Sequence, residues 1–419
     1  MFLLDNLQVA RSKLLIITAL VFSLLNYPSA SAANPKYGEP CKKAGIEKTY
    51  QSITYICLKV KKKLVWTGKQ SSGIGEKSSV VSKESIPSIT TPVPTSFQDL
   101  YANRKGISYG AWLKTSNIMK TSESRVPSTE VFIGPKTKPW YTDTEYIFGL
   151  VSRAFPNAKL QEKVIVYFYN YKDLNWAQSQ IRSKLSERDY LELSANENNH
   201  LVDSNCQPEL RDCLGSKAVA TRAPTNLAIM LIGVSNNPGM FVSGGSSHGD
   251  PGLEEANKKG LLIAHEYFHT LQDKTLVGKS LDRTDWPPPW VIEGSANFVQ
   301  NAAVNFDSFS KYFSWRGSSM GNLVNAKGVT ESFVADFMDL SHYKDYWSGF
   351  NKDWYYHLGS RIMEALVSIK GPESIMEFHE QMGSKIGFQN AFLNTYGISY
   401  EEAIPIIART VAANFNGQN

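Results

Sequence analysis

The sequence predicts an α+β fold, in which a mixed β-sheet with helices comes first, a mainly helical part follows, and a small disulfide-linked β module stands at the N-terminus. Three observations predict it. Runs of β-branched and aromatic residues occur up to Gly244, helical periodicity dominates from Leu253 onward, and four cysteines fall in two close pairs. With 42% hydrophobic and 12% aromatic residues, the chain of 419 residues can bury a full core.

The first segment has the pattern of an export signal. Arg11 and Lys13 precede the apolar run Leu14–Leu25, and residues 30–32 are small. An uncleaved membrane anchor is the alternative, but about twelve apolar residues fall short of the roughly twenty that a membrane span requires. We therefore expect residues 1–32 to be a signal peptide, and the mature protein to be secreted without a membrane span.

A small β module is predicted for residues 33–69, where Tyr50–Lys59 and Lys63–Thr67 have the residue types of short strands. The module is rich in lysine, which fits either contact with the cell envelope or an ordinary solvated face. Residues 70–95 are rich in Ser, Thr and Pro and predict a linker. The main domain then spans residues 96–419.

Four cysteines allow three connectivities, and the most economical of them joins near neighbours in the chain. We expect Cys41 to pair with Cys57 and Cys206 with Cys213. Such disulfides persist in an oxidising compartment, which agrees with secretion. The formal charge of +5 is modest, and no dense basic stripe of the kind that binds nucleic acid is present.

The elements of the main domain follow from periodicity and residue type. A helical stretch is predicted near Phe97–Met119. Further helices are predicted within Leu253–Gln300 and from Trp354 to the C-terminus. The predicted strands are residues 130–134, 163–170, 226–234 and 240–244.

One apolar helical segment carries the residues of a metal site. His265 and His269 are four positions apart, so both imidazoles project from one face of a helix and can hold one zinc ion. Glu266 follows the first histidine and lies about 100 degrees around the helix, where it can act as a general base on a water at the site. The alternative is a helix with two histidines on its polar side.

A third ligand is expected downstream. Glu293 lies in a second helix that begins after three prolines, and two antiparallel helices would bring it to the histidines, with Gly294 and Ala296 allowing close approach. Two His and one Glu leave a fourth position open, as in catalytic zinc sites. The alternative for Glu293 is an ordinary carboxylate at a helix start, where acidic residues are favoured. The rival ligands lie in the connecting stretch, Asp273, Asp282 and Asp285.

These two motifs resemble those of the gluzincin metallopeptidases, the thermolysin-like superfamily that includes aminopeptidase N-type enzymes. Their shared pattern is H-E-x-x-H followed by a downstream Glu, often within W-x-x-E-G-x-A, and here that second motif begins at Trp290. The resemblance implies a zinc site between the sheet-containing and helical parts, and hydrolysis of peptide or protein substrates. It extends to Tyr356–Gly359, which is similar to a Y-x-x-G motif whose tyrosine stabilises the transition state, so Tyr356 is the candidate.

The resemblance has departures. Asn297 stands where thermolysin has an acidic residue that orients a zinc-bound histidine, and its amide oxygen is expected to take that role. A G-x-M-E-N stretch of the aminopeptidase type is missing, which favours an endopeptidase. Residues 239–245 correspond to the sheet edge that pairs with an extended substrate, or else form an ordinary hairpin strand. His248 lies in the loop that follows and either closes over the site or is a solvated loop histidine. His357 is either an active-site donor or a core residue.

A second hypothesis comes from another functional class. A non-catalytic protein that binds the cell envelope or a polypeptide could keep a peptidase scaffold for adhesion alone. The presence of Glu266 favours the enzyme, because a binding role does not require the general base.

Overall fold

The computed structural model of the chain describes residues 40–50, 53–60, 63–68, 87–88, 90–194, 201–202, 205–207, 211–213, 215–220, 226–236, 257–276, 286–318, 329–343, 350 and 352–415. The chain divides into two compact units, Met1–Lys77 and Ser78–Asn419. The predicted signal peptide and most of the predicted linker lie outside the described residues. None of the described helices is long and apolar enough to cross a membrane.

The N-terminal unit contains a three-stranded antiparallel sheet, β1 (Glu47–Tyr50), β2 (Ile53–Val60) and β3 (Lys63–Gly68), in the order β1-β2-β3. The predicted disulfide Cys41–Cys57 is confirmed. Cys57 is fully buried in the middle of β2 and pairs in register with Trp66, which is also buried. A sheet this small has little apolar surface to bury, so the disulfide supplies a covalent link between β2 and the segment before β1.

The second unit has mixed α+β structure around a small sheet. Its strands are β4 (Ser128–Ile133), β5 (Lys163–Tyr169), β6 (Cys206–Gln207), β7 (Asp212–Cys213), β8 (Ser216–Ala220) and β9 (Leu227–Gly233). The main sheet has the order β4-β5-β9-β8, in which β4, β5 and β9 are parallel and β8 is antiparallel to β9. The short pair β6-β7 contains the second predicted disulfide, Cys206–Cys213, which is confirmed.

The central strands are buried on both faces, which explains why they are continuous apolar runs. Along β5, Val164, Val166 and Phe168 enter the larger core, whereas Ile165 and Tyr167 enter a smaller core on the opposite face. Alternate residues of a strand point to opposite faces, so each face needs its own cover. Helices and the disulfide hairpin supply that cover on the side of the smaller core.

The helices of this unit, in chain order, are α1 (Phe97–Leu100), α2 (Ile107–Thr121), α3 (Thr144–Ala154), α4 (Leu174–Lys184), α5 (Glu187–Ser194), α6 (Leu261–Leu276), α7 (Pro289–Val304), α8 (Phe309–Ser318), α9 (Glu331–Met338), α10 (Lys352–Lys370), α11 (Glu373–Gly383), α12 (Phe388–Tyr396) and α13 (Tyr400–Phe415). Short 3-10 turns occupy Arg104–Gly106, Tyr171–Asp173 and Leu340–Tyr343. Every described element after residue 257 is helical.

The described strands agree with three of the four predicted for the main domain, and the fourth, residues 240–244, lies outside the described residues. The predicted helical stretch near Phe97–Met119 is confirmed, in separate pieces. The chain forms α1, a 3-10 turn and then α2, because Gly106 must pass close to the backbone of Pro92, where a Cβ atom would overlap the carbonyl of Pro92. Strand β8 was not predicted, since its half-buried small residues carry a weak strand signal.

Two glycines set the contact between α7 and α10. A Cβ atom on Gly359 would lie 2.5 Å from the carbonyl oxygen of Trp290, and one on Gly294 would overlap the backbone of Gly359. The expectation that Gly294 brings the two proposed ligand helices together is therefore wrong. Gly294 instead lets α7 approach α10, the helix that carries Tyr356.

Candidate functional site

Helix α6 carries three polar side chains, those of His265, Glu266 and His269, among apolar neighbours. It begins after Gly260, whose φ of +79° is a conformation that glycine adopts readily. Ile263, Ala264, Tyr267, Phe268 and Leu271 of this helix belong to the larger core. His265 and Glu266 are nonetheless only 5% and 4% exposed. Buried polar groups of this kind require partners, so the site is built from the groups around them.

Helix α7 supplies the first partner. It begins at Pro289, whose ring fixes a helical φ. An N–H group at this first helical position would have no acceptor within the helix, so the N–H that proline lacks is not needed. Glu293 is buried, and its Oε2 lies 3.3 Å from the Nε2 atoms of both His265 and His269. The two Nε2 atoms are 3.1 Å apart. The three side chains that were expected to bind one metal thus converge on one point.

The spacing of these atoms fits a tetrahedral zinc ion. Zinc lies about 2.0–2.2 Å from His nitrogen and carboxylate oxygen, so two ligands at a tetrahedral angle are separated by about 3.3 Å. The measured separations of 3.1 and 3.3 Å agree with that value. Two imidazoles and one carboxylate also leave a fourth position for water or substrate. His265, His269 and Glu293 could therefore hold a metal ion.

The electrostatics of the three groups favour a positive charge between them. Burial acts to raise the pKa of Glu293, but the neighbouring His269 and His265 outweigh it and hold that pKa well below its usual range. Burial acts to lower the pKa of His269, but the Glu293 carboxylate outweighs it and raises the pKa to about 10. Glu293 is therefore ionised, and its charge stabilises a cation at the same place.

Glu266 is held from the sheet. Ser216, the first residue of β8, donates a hydrogen bond of 2.6 Å from its Oγ to Oε1 of Glu266. Among the described residues the other oxygen, Oε2, is buried and has no hydrogen-bond partner. One oxygen of the carboxylate is thus anchored, while the second keeps its capacity to accept a proton or a hydrogen bond.

Gln272 lies one turn beyond His269 on α6 and accepts a hydrogen bond of 2.6 Å from Nδ1 of that histidine at its Oε1. Its Nε2 lies 3.1 Å from the carbonyl oxygen of Ile292, 2.8 Å from Oγ of Ser295 and 3.2 Å from Nε2 of His379. Gln272 is therefore in contact with α6, α7 and α11.

Tyr356 lies beside the proposed ligands. Its ring centroid is 5.8 Å from that of His265, with the planes tilted by 33°. Tyr355 is fully buried in the core, so adjacent tyrosines of α10 have different environments. Burial lowers the pKa of His357 to about 4, so its ring is neutral at pH 7, and Nδ1 is buried without a partner among the described residues.

The expected role of Asn297 is wrong. Its Oδ1 accepts a hydrogen bond of 2.5 Å from Gln300, and its Nδ2 donates to the carbonyl oxygen of Tyr356. Neither atom contacts a histidine ring in these hydrogen bonds, and the amide oxygen that accepts from Nδ1 of His269 belongs to Gln272. Asn297 instead connects α7 to α10.

Of the three rival ligands, Asp273 alone lies among the described residues. Among the described residues, the group that could hold a metal does not include Asp273. Asp282 and Asp285 lie outside the described residues, as do His248, His200 and the expected substrate strand 239–245. Two further histidines lie in the described chain and outside the group of three proposed ligands. Nε2 of His342 lies 2.8 Å from Oδ1 of Asp336 at the surface, and His379 is fully buried.

Sequence reasoning missed Ser216 and Gln272. Ser216 is 50 positions from Glu266 in the chain, and no local pattern connects them. Gln272 did carry a signal, because a polar residue three positions after a proposed ligand shares its side of the helix. No protein-family model, curated protein or solved structure matches this chain.

Proposed function

We propose that this protein is a secreted zinc-dependent peptidase of the gluzincin type. The observation that carries the proposal is the convergence of His265, His269 and Glu293 at zinc-ligand spacing. Glu266, in the helix of the two histidines, has a buried carboxylate oxygen without a hydrogen-bond partner among the described residues. A purely structural cluster would not need an open fourth position or a buried acceptor left without a partner.

The proposed roles follow from the donor set. His265, His269 and Glu293 would hold the ion, and a bound zinc ion supplies polarisation of a carbonyl and a water that is acidic near pH 7. Glu266 accepts the proton of the attacking water at Oε2 while Ser216 holds Oε1. The same carboxyl group then gives the proton to the leaving amine. Tyr356, beside His265, donates a hydrogen bond to the developing oxyanion.

The sheet supports a peptide as the substrate. Strand β8 is at the end of the described strand order and packs against α6, and its first residue contacts Glu266. An extended peptide can add to the edge of a sheet through backbone hydrogen bonds, which do not depend on its sequence. We propose an unstructured polypeptide as substrate and endopeptidase cleavage as the reaction.

Export is part of the proposal. Two disulfides agree with an oxidising compartment, and the N-terminal sequence has the pattern of a signal peptide. The lysine-rich N-terminal unit would then be available for contact with the cell envelope.

The test combines metal analysis with peptide hydrolysis. Purified mature protein is expected to contain one zinc per chain and to cleave a mixed library of unstructured peptides. Glu266→Gln should keep zinc and lose cleavage, whereas Glu293→Ala should lose both. A wild-type protein that binds no zinc would overturn the metal site. Zinc binding without any cleavage would favour the alternative, a binding protein on a peptidase scaffold.

A further inference from the structure

Gln272 is a buried amide that connects both proposed ligand helices. It is 3% exposed, and its two ends face different partners. The oxygen faces Nδ1 of His269 at 2.6 Å on its own helix. The nitrogen faces the carbonyl oxygen of Ile292 at 3.1 Å, and Ile292 immediately precedes Glu293 in α7.

The partners decide which end of the amide is which. A backbone carbonyl only accepts hydrogen bonds, so the atom of Gln272 next to Ile292 must be the NH₂ group. Oε1 then faces His269, and as an acceptor it requires a proton on Nδ1 of that ring. The orientation of a glutamine amide is often ambiguous, but here the carbonyl of Ile292 removes the ambiguity.

A proton on Nδ1 has a consequence for the other ring nitrogen. With Nδ1 engaged by Gln272, the coordinating atom of His269 has to be Nε2, the atom that lies 3.3 Å from Glu293 and 3.1 Å from Nε2 of His265. The same hydrogen bond prevents rotation of the ring about χ2, since a rotated ring would break a short contact in a buried place.

We propose that Gln272 is the positioning residue of the metal centre, which keeps Nε2 of His269 directed at the ion and keeps α7 in register with α6 beside Glu293. This inference rests on the proposed zinc site. It adds a residue to that site through two hydrogen bonds, one to a ligand and one to the backbone next to another ligand.

A second buried glutamine that contacts α6 serves as the control. Gln161 is 2% exposed and donates from Nε2 to the carbonyl oxygen of Thr270 in α6. Its side chain has no hydrogen bond to His265, His269 or Glu293 among those found in the described chain. Replacing either glutamine by methionine removes a buried amide and keeps a similar volume, but only at Gln272 does it also remove the contacts with His269 and with α7.

The experiment compares wild type, Gln272→Met and Gln161→Met in protein labelled with ¹⁵N-histidine. Zinc affinity is measured by competition with a chelator, and the Nδ1 proton of His269 is followed by NMR in metal-free and zinc-loaded protein. We expect Gln272→Met to weaken zinc binding by about 10- to 100-fold. We also expect its Nδ1 proton to exchange with solvent much faster. Gln161→Met should keep the wild-type affinity and the wild-type exchange.

The outcomes separate this inference from the proposed function. Unchanged zinc affinity and unchanged exchange in Gln272→Met would overturn the positioning role, and so would equal losses of affinity in both variants. If wild type bound no zinc, the proposed function would fail, and the Nδ1 proton of the metal-free protein would still test the contact with Gln272. Should Gln272→Met fail to fold, the wild-type protein decides: a slowly exchanging Nδ1 proton on His269 supports the contact with Gln272, and a rapidly exchanging one refutes it.

Discussion

Two clusters in this molecule contain buried carboxylates, and they differ in how the carboxylate oxygens are hydrogen-bonded. Glu364 in α10 is 2% exposed, and it accepts hydrogen bonds from Tyr312 at 2.5 Å and from Nε of Arg316 at 2.7 Å to each oxygen, with Arg361 at 3.5 Å. In the proposed zinc site, Glu266 has one oxygen without a partner among the described residues, and Glu293 shares one oxygen between two histidines.

The difference indicates which cluster has a structural role. The charge of Glu364 is neutralised by a guanidinium that is itself buried, and both oxygens are occupied by protein donors. Such a cluster has no capacity left for a ligand. In the other cluster the unused acceptor and the converging ligand atoms are tolerable only if something else completes the site. Burial is therefore common to both clusters, whereas incomplete satisfaction distinguishes the proposed metal site.

The largest expected effect is on activity at Glu266. Glu266→Gln should lower kcat/KM for peptide hydrolysis by about 10²- to 10⁴-fold, because an amide cannot accept the proton. The amide oxygen can still accept from Ser216, so urea unfolding should give a free energy of unfolding close to wild type. A variant that unfolds much more easily would place Glu266 with Glu364 among the structural carboxylates.

Glu364→Gln should show the reverse pattern. This change removes the carboxylate charge that faces the buried Arg316, and the free energy of unfolding should fall by about 3–5 kcal/mol. Zinc content of the folded protein should not change. Glu377→Gln, at an exposed position of α11, is the control and should stay within about 0.5 kcal/mol of wild type. Loss of zinc in folded Glu364→Gln protein would contradict the division into two clusters.

A smaller effect is expected where α7, which carries Glu293, packs against α10, which carries Glu364. Gly359→Ala places a Cβ atom 2.5 Å from the carbonyl oxygen of Trp290, so α10 must move away from α7. We expect a loss of about 1–3 kcal/mol of unfolding free energy, together with lower kcat because Tyr356 moves with the helix. Ser360→Ala, which removes only a hydrogen bond to the backbone of His357, is the control for both measurements. Normal stability of Gly359→Ala would show that the helices can separate without strain.

At pH 7 the smallest effect is that of His379, which contributes a pH dependence of stability. Burial, and secondarily the charge of His269, lowers its pKa from 6.5 to about 3 in the folded protein. The unfolded chain thus binds the proton first, so stability is complete above about pH 6.5 and falls as the pH decreases towards 3. The slope from this group is at most about 1.4 kcal/mol per pH unit.

The measurement is urea unfolding of wild type and His379→Gln between pH 7 and the acid limit of folding. Other groups titrate in both proteins, so the difference between the two curves isolates His379. We expect the variant to have the shallower dependence on pH. Parallel curves would mean that His379 does not remain neutral in the folded state.

Local patterns predicted much of the fold and of the candidate site. Three strands of the main sheet were recognisable as apolar β-branched runs, and the spacing of His265 and His269 predicted that their rings share one side of a helix. The prolines before Glu293 predicted the start of α7. Each of these inferences depends on periodicity or on the backbone angles of single residues, which act over a few positions.

The polar partners were not predictable in the same way. Asn297 is a plausible partner for a histidine by its position in the chain, yet packing of α7 on α10 directs it to Tyr356 and Gln300. Strand β8 brings Ser216 to Glu266 only because it joins the end of the sheet against which α6 packs.

The amino-acid sequence alone determined a sheet-containing part followed by a helical part, the disulfide pairs by economy, and a set of candidate ligands, because helical and strand periods are properties of the local backbone. Only the tertiary structure decided that Glu293 meets both histidines at zinc-ligand spacing, that Gln272 joins α6 to α7, and that Gly294 faces Gly359. Those contacts depend on which helix surfaces pack together, and packing is a property of the whole core.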